Sequence, residues 1–236
     1  MITLSTSAYE KDFKSTLNKE NWFYKVKNPL ITKKIVIINN ISSIDEFLIL
    51  KKEFENDFEF YFSSEYISQI NDTFNVLLNP TDVSHHYSIH HYTAILVNNN
   101  NYCLHVSPDC LIVGDHLSDF FQNSILLLDT DDDVLTTTLS WLPPEKLDDL
   151  GNHCQKEFNI KKTNNFFYFT KVFSDQVYFY KVDKLKKCDF TITSSSHPFP
   201  TYGINSFEYR LTNHLIKKNN YRSIYKNKIY YIHKSF

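Results

Sequence analysis

The stretch from Lys33 to Phe62 constrains the fold more than any other part of the chain. Lys33-Lys34 lead into Ile35-Val36-Ile37-Ile38, an unbroken β-branched run that Asn39-Asn40 end. A strand that is apolar on both sides is covered on both sides, as in a parallel sheet. Ser43 to Asn56 then sets Ile44, Phe47, Leu48, Leu50 and Phe54 at helical spacing, with Ser43 as the N-cap. Phe58-Glu59-Phe60-Tyr61-Phe62 reads as a second strand, stopped by Ser63-Ser64. Strand, helix and strand within about thirty residues make a βαβ unit, which implies a parallel sheet with a right-handed crossover.

The spacing predicts a third strand at Asn75 to Leu78 and a helix from Ser84 to Val97 that carries His85, His86, His90 and His91. After the polar turn Asn98 to Asn101 comes a strand at Tyr102 to Val106, with Ser107-Pro108-Asp109 at its carboxyl end. Ile125 to Leu128 and Val134 to Trp141 read as strands around the acidic turn Asp131-Asp132-Asp133. Phe166 to Phe169 and Val177 to Tyr180 follow, then a helix from Ser206 to Lys218 and a closing strand at Ile229 to Ile232. Residues 1 to 32 are mixed polar and aromatic and read as an N-terminal extension packed on a domain of residues 33 to 236. A chain of 236 residues suits one domain with a small appendage.

Composition removes several function classes. The chain has 3 glycines, at Gly114, Gly151 and Gly203. A P-loop needs two glycines at fixed spacing and a dinucleotide fingerprint needs three close together; neither can be written here. Any nucleotide is therefore held by side chains and a metal. A formal charge of -2 supplies no field for nucleic acid. The basic stretch Lys217, Lys218, Arg222, Lys226, Lys228 and Lys234 reads first as a solvated face, and secondly as a surface for phosphates or peripheral membrane contact. Cys103, Cys110, Cys154 and Cys188 contain no CxxC pair, and no apolar run reaches the roughly eighteen residues of a span, so the expectation is a cytoplasmic protein with reduced thiols. No motif fixes an oligomeric state.

In open α/β sheets, ligands bind beyond the carboxyl ends of strands. Asn39-Asn40, Ser63-Ser64-Glu65 and Ser107-Pro108-Asp109 all have that address. A carboxylate at the third suits a hard divalent ion, Mg²⁺ or Mn²⁺, which takes oxygen ligands and bridges phosphates. His86 and His90 share a helix face, but the residue after His86 is Tyr87, not the Glu of a zinc protease, so packing or phosphate contact is the expected role of these histidines. Asp131 to Asp133 lacks the Gly and Glu of a calcium loop and reads as an exposed turn. Trp141, before Pro143-Pro144, is a candidate to stack on an acceptor sugar.

The segment Tyr92-Thr93-Ala94-Ile95-Leu96-Val97 through Tyr102-Cys103-Leu104-His105-Val106-Ser107-Pro108-Asp109 resembles the part of GT-A glycosyltransferases that ends in the Asp-any-Asp motif, with Ser107 in place of the first Asp. The Ser-Pro-Asp variant is similar to that of a chlorella-virus glycosyltransferase domain, and the chain also resembles bacterial surface-polysaccharide glycosyltransferases. The resemblance covers residues 33 to 236. It implies an α/β GT-A domain: a central mixed, mostly parallel sheet flanked by helices, with a Rossmann-like nucleotide-binding half and an acceptor half. It further implies a nucleoside-diphosphate sugar donor, UDP-linked first, a divalent cation, Mn²⁺ or Mg²⁺, and a glycan or lipid-linked acceptor in surface-glycan synthesis.

Three further elements of that family follow in order. Pro200-Thr201-Tyr202-Gly203-Ile204-Asn205-Ser206 resembles the glycine-containing donor loop. Glu208 stands where inverting members carry the base, with Asp175 as second choice. His233 stands where a histidine meets the metal or diphosphate. The implied donor-binding set is Asn39, Asn40, Ser63, Ser107, Asp109 and Gly203, and the implied metal ligands are Asp109 and His233. Ser107 departs from the pattern, because a hydroxyl cannot replace an anionic ligand. That keeps a catalytically silent, glycan-binding or scaffolding GT-A-like domain as an alternative. A nucleotidyltransferase is the other; it needs a glycine- and basic-rich phosphate loop, and Asn39-Asn40-Ile41-Ser42-Ser43 is a poor match.

Overall fold

The computed structural model describes residues 1–79, 83–146, 162–192 and 206–233. In chain order the elements begin with β1 (Ile2–Ala8), the one-turn helices α1 (Phe13–Thr16) and α2 (Trp22–Lys25), β2 (Ile31–Ile38), α3 (Ile44–Phe54) and β3 (Glu59–Phe62). Next come α4 (Ile67–Phe74), α5 (Val83–Val97), β4 (Tyr102–Val106), β5 (Cys110–Val113), α6 (Leu117–Thr130) and β6 (Val134–Thr138). The remainder is β7 (Lys162–Thr163), β8 (Phe167–Thr170), β9 (Val177–Lys181), the short α7 (Val182–Lys186), α8 (Phe207–Lys218), β10 (Tyr221–Tyr225) and β11 (Tyr230–His233).

Among the described residues, one sheet runs β3-β2-β1-β4-β9-β6-β10-β8-β7, and β5 and β11 form a separate two-stranded ribbon. β3, β2, β1 and β4 are mutually parallel; β9 then enters antiparallel between β4 and β6. The expected βαβ unit is there as β2, α3 and β3. Alternate residues of the central strands face two cores. Leu104 and Phe179 point to the side covered by α3 and α6, and Cys103, Tyr178 and Tyr180 to the side covered by α4, α5 and α8. This is the three-layer sandwich of an α/β domain.

Residues 1 to 32 are not an appended extension. β1 lies inside the sheet between β2 and β4, and all seven of its residues are buried. Thr and Ser between its apolar residues mask it as polar, yet each hydroxyl named here has a partner: Thr3 Oγ1 donates to Asn98 Oδ1 at 2.7 Å and Thr6 Oγ1 to the Val106 carbonyl at 2.7 Å. Such pairing removes the cost of burying a hydroxyl.

Two other expectations are corrected. Ile125 to Leu128 is not a strand but part of α6, where Phe120, Phe121, Ser124 and Leu128 turn inward while Leu126 is exposed; four apolar residues alone do not distinguish the two periodicities. Asn75 to Leu78 is not a strand either. Asn75 ends α4 in the left-handed conformation (φ 50°), and Val76 and Leu78 bury themselves beside Ile70 and Phe74 without pairing to a strand. Among the described residues, no helix is long and apolar enough to cross a membrane.

Candidate functional site

The chain leaves β1 for β2 on one side and reaches β4 on the other. The strand order therefore reverses at β1, and the crevice between the carboxyl ends of β1 and β4 is where an open α/β sheet binds ligands. A cleft of about 620 Å³ opens there, within the range of small-molecule sites. Its walls come from Ser7 to Asp12 after β1, Asn40 after β2, Ser107-Pro108-Asp109 after β4, Ser174-Asp175-Gln176 before β9, Glu208 on α8, His233 on β11, and Tyr87, His90 and His91 on α5. A smaller depression of about 190 Å³, around Lys33 and Lys34 near the start of β2, lies away from these strand ends.

Ser107 and Asp109 are set by a tight turn. Ser107 N–H donates to the Gln176 carbonyl at 2.7 Å, and Cys110 N–H donates back to the Ser107 carbonyl at 3.0 Å. The next residue begins β5, where Cys110 pairs with His233 of β11. That register brings His233 Nε2 within 2.7 Å of Asp109 Oδ2. Gly114 closes the ribbon at φ 109°, and a Cβ there would meet the Lys228 carbonyl at 2.6 Å.

The loop after β1 adds residues that the sequence did not single out. Asp12 Oδ1 accepts from Tyr9 N–H at 2.7 Å. Burial, and secondly the charge of Asp109, push its carboxyl up to about 6. Glu10 accepts from Ser42 N–H at 2.6 Å and Ser43 N–H at 3.1 Å, and also from the Ser43 hydroxyl; these bonds, the Ser43 hydroxyl foremost, hold it down at about 2. Glu10 thus clamps the start of α3, while Asp12 stands beside Asp109.

Glu208 and Asp175 also line the cleft. Ser206 caps α8, its hydroxyl accepting from Tyr209 N–H, and places Glu208 in the first turn. Burial, and secondly the charge of Asp175, push Glu208 up to about 9, against an opposing pull from Arg222. Asp175 Oδ2 lies 3.4 Å from His91 Nε2.

Of the residues singled out in the sequence, Asn40, Ser107, Asp109, Asp175, Glu208 and His233 line one cleft. Asn40 does so in the left-handed region (φ 48°), which Asn tolerates. Asn39 and Ser63 do not line it. Both are buried, Ser63 Oγ donating to Asn39 Oδ1 at 2.9 Å, so they brace the loops beneath. Trp141 is half-buried against the core and is absent from the cleft wall. Asp131 to Asp133 is a helix-ending turn, with Asp133 N–H donating to Asp131 Oδ1. Gly203 and the side chains of His85 and His86 lie outside the described residues. Missed altogether was His105 in β4, which meets His90 and His91 behind the cleft. Its position in an alternating strand next to the helix carrying the histidines was the available signal.

The fold is of the GT-A type. TarS of S. aureus superposes with a TM-score of 0.53 at 13% identity, over 99% of this chain and 36% of TarS. A mycobacterial protein superposes at 0.52 and 11% identity, over 100% of this chain and 68% of that one. The galactosyltransferase LgtC, solved with donor and acceptor sugar analogs, is looser at 0.43 and 15% identity, over 90% of this chain and 70% of LgtC. This chain thus spans about a third of TarS. No protein-family description matches the sequence, and no curated protein matches it.

Proposed function

We propose that this protein is a glycosyltransferase that takes a sugar from a nucleoside-diphosphate donor, UDP-linked sugars first, and passes it to a glycan or lipid-linked acceptor. The observation that carries the reading is the gathering of Asp109, His233, Asp175 and Glu208 around one cleft at the sheet's switch point.

The charge of that cleft makes a cation part of the proposal. Glu10, Asp12, Asp109, Asp175 and Glu208 line it, against Lys11 as its one described lysine or arginine. A diphosphate placed there meets carboxylates. Burial, and secondly the charge of Asp109, already raise the Asp12 carboxyl to about 6. Carboxylates suit Mn²⁺ or Mg²⁺, so Asp109, with Asp12 and the His233 imidazole beside it, would hold the ion. When bound, it neutralises the charge on the departing diphosphate. Asp12 then stands in for the carboxylate that Ser107 does not supply.

Glu208 is the proposed base that takes the acceptor's proton. Its carboxyl holds its own proton at neutral pH, so transfer climbs as pH rises towards 9. Thermal shifts with nucleotide sugars, with and without Mn²⁺, followed by detection of the released nucleoside diphosphate, test the reading. Asp109→Ala is expected to abolish both the Mn²⁺-dependent stabilisation and turnover. Glu208→Gln is expected to keep stabilisation and lose transfer. Donor binding without turnover against a broad acceptor set would favour a silent binding domain, and pyrophosphate release a nucleotidyltransferase.

A further inference from the structure

At the inner wall of the cleft lies a cluster of three histidines that the reading above does not use. His90 and His91 on α5 and His105 on β4 are all buried, and one ring nitrogen from each lies within 4.8 Å of the others. The rings pack together, with centroids 3.7 Å apart for His90 and His91 and 4.8 Å for His91 and His105. Three imidazoles in so small a volume are unfavourable as cations and ordinary as metal ligands.

A hydroxyl lies against Nδ1 of each ring, and Tyr9 Oη also lies 3.5 Å from His90 Nε2. Tyr9 Oη lies 2.6 Å from His90 Nδ1, Tyr178 Oη 2.9 Å from His91 Nδ1, and Ser5 Oγ 3.0 Å from His105 Nδ1. Metal-binding histidines are oriented in this way, by a hydrogen bond at the nitrogen that does not meet the ion. The second nitrogen of His105, Nε2, is fully buried and has no hydrogen-bond partner. A buried polar atom without a partner is costly, and a coordinating ion removes that cost. His91 Nε2 faces Asp175 Oδ2 at 3.4 Å, which supplies a carboxylate to the same spot.

We propose that His90, His91 and His105, with Asp175, form a binding site for a borderline transition-metal ion of the zinc class, separate from Asp109 and His233. Nitrogen-rich donors select such ions over Mg²⁺ or Mn²⁺. Tetrahedral coordination at Zn–N distances of about 2.0–2.1 Å places ligand nitrogens roughly 3.4 Å apart, so nitrogens now within 4.8 Å of one another need to close by up to roughly 1.4 Å. Burial keeps the His105 imidazole neutral, the form that binds metal. His90 and His91 also line the cleft, which gives an ion its way in. Once bound, it ties α5, β4 and the Asp175 loop together beneath the donor site.

The test is metal binding, so its outcome is independent of whether sugar is transferred. The full chain, stripped with a chelator, is titrated with Co²⁺ and followed by visible absorption, with Zn²⁺ as competitor. The expected result is one equivalent of tetrahedral Co²⁺, displaced by Zn²⁺, in the parent protein and in Asp109→Ala alike. His91→Gln and His105→Gln, checked for folding by circular dichroism, are expected to bind at least 10-fold more weakly. Tyr178→Phe, which keeps the ring packing and removes the hydroxyl on His91, is expected to weaken binding by about 10-fold as well. Absence of the Co²⁺ signal, its loss in Asp109→Ala, or its persistence in both folded histidine variants overturns the proposal.

Discussion

At the scale of single residues, the cleft raises two of its carboxyl groups, Glu208 and Asp12, and lowers a third, Glu10. Glu208 carries the largest consequence. Its folded value lies near 9, against an ordinary 4.5. The native state therefore binds this proton more tightly than the unfolded chain, and stability falls as pH rises through that window. Glu208→Gln removes the slope. Its melting temperature is expected to match the parent near pH 5 and exceed it near pH 8, by roughly 2–4 °C for each 1 kcal/mol relieved. Parallel melting curves across pH 5 to 9 for the two proteins would refute this. Much of the cleft lining was legible in the sequence at this scale, because Asp109, Asp175, Glu208 and His233 stand beside or at the ends of elements that their neighbours announce. Asp12 was not legible. It matters only because β1 ends next to β4, and β1's hydroxyl-rich face hid the strand.

At the scale of elements, two short features hold the site in shape. The Ser206 cap sets the first turn of α8 and so the direction of Glu208. Ser206→Ala is expected to cost about 1 kcal/mol and lower the melting temperature by about 2–4 °C. The ribbon of β5 and β11 depends on Gly114. Gly114→Ala forces a Cβ into a carbonyl at positive φ and is expected to cost more than about 1 kcal/mol. It should also weaken Mn²⁺-dependent donor binding, by moving β11 away from Asp109; calorimetric titration reads that directly. β2, α3, β3, α5 and β4 were readable because each has a strong pattern of its own. The ribbon's Cys110–Val113 strand was not, since its four residues have meaning only beside β11. Ile125 to Leu128 misled for the same reason in reverse: a short apolar run says that it is buried somewhere, without saying in which element.

At the scale of the whole molecule, β1 is the strand that joins the two directions of the sheet. Deleting residues 1 to 12 removes the shared neighbour of β2 and β4 and opens both cores. The truncated chain is expected to lose its cooperative thermal transition, whereas loss of a mere appendage would leave it intact; a single melting scan separates the two. The cleft, too, belongs to the whole chain, since its walls run from Ser7 to His233. The Asp109–His233 contact crosses the ribbon between two strands far apart in sequence. An ion held by this pair would fasten those strands as well as the donor. Its binding free energy would then be added to the work needed to pry β11 from β5. Amide hydrogens of Tyr230 to His233 should accordingly exchange more slowly as Mn²⁺ is raised, while those of β1 keep their pace. Occupancy of the site could then be followed in the absence of any sugar, from the rate at which one edge of the protein breathes.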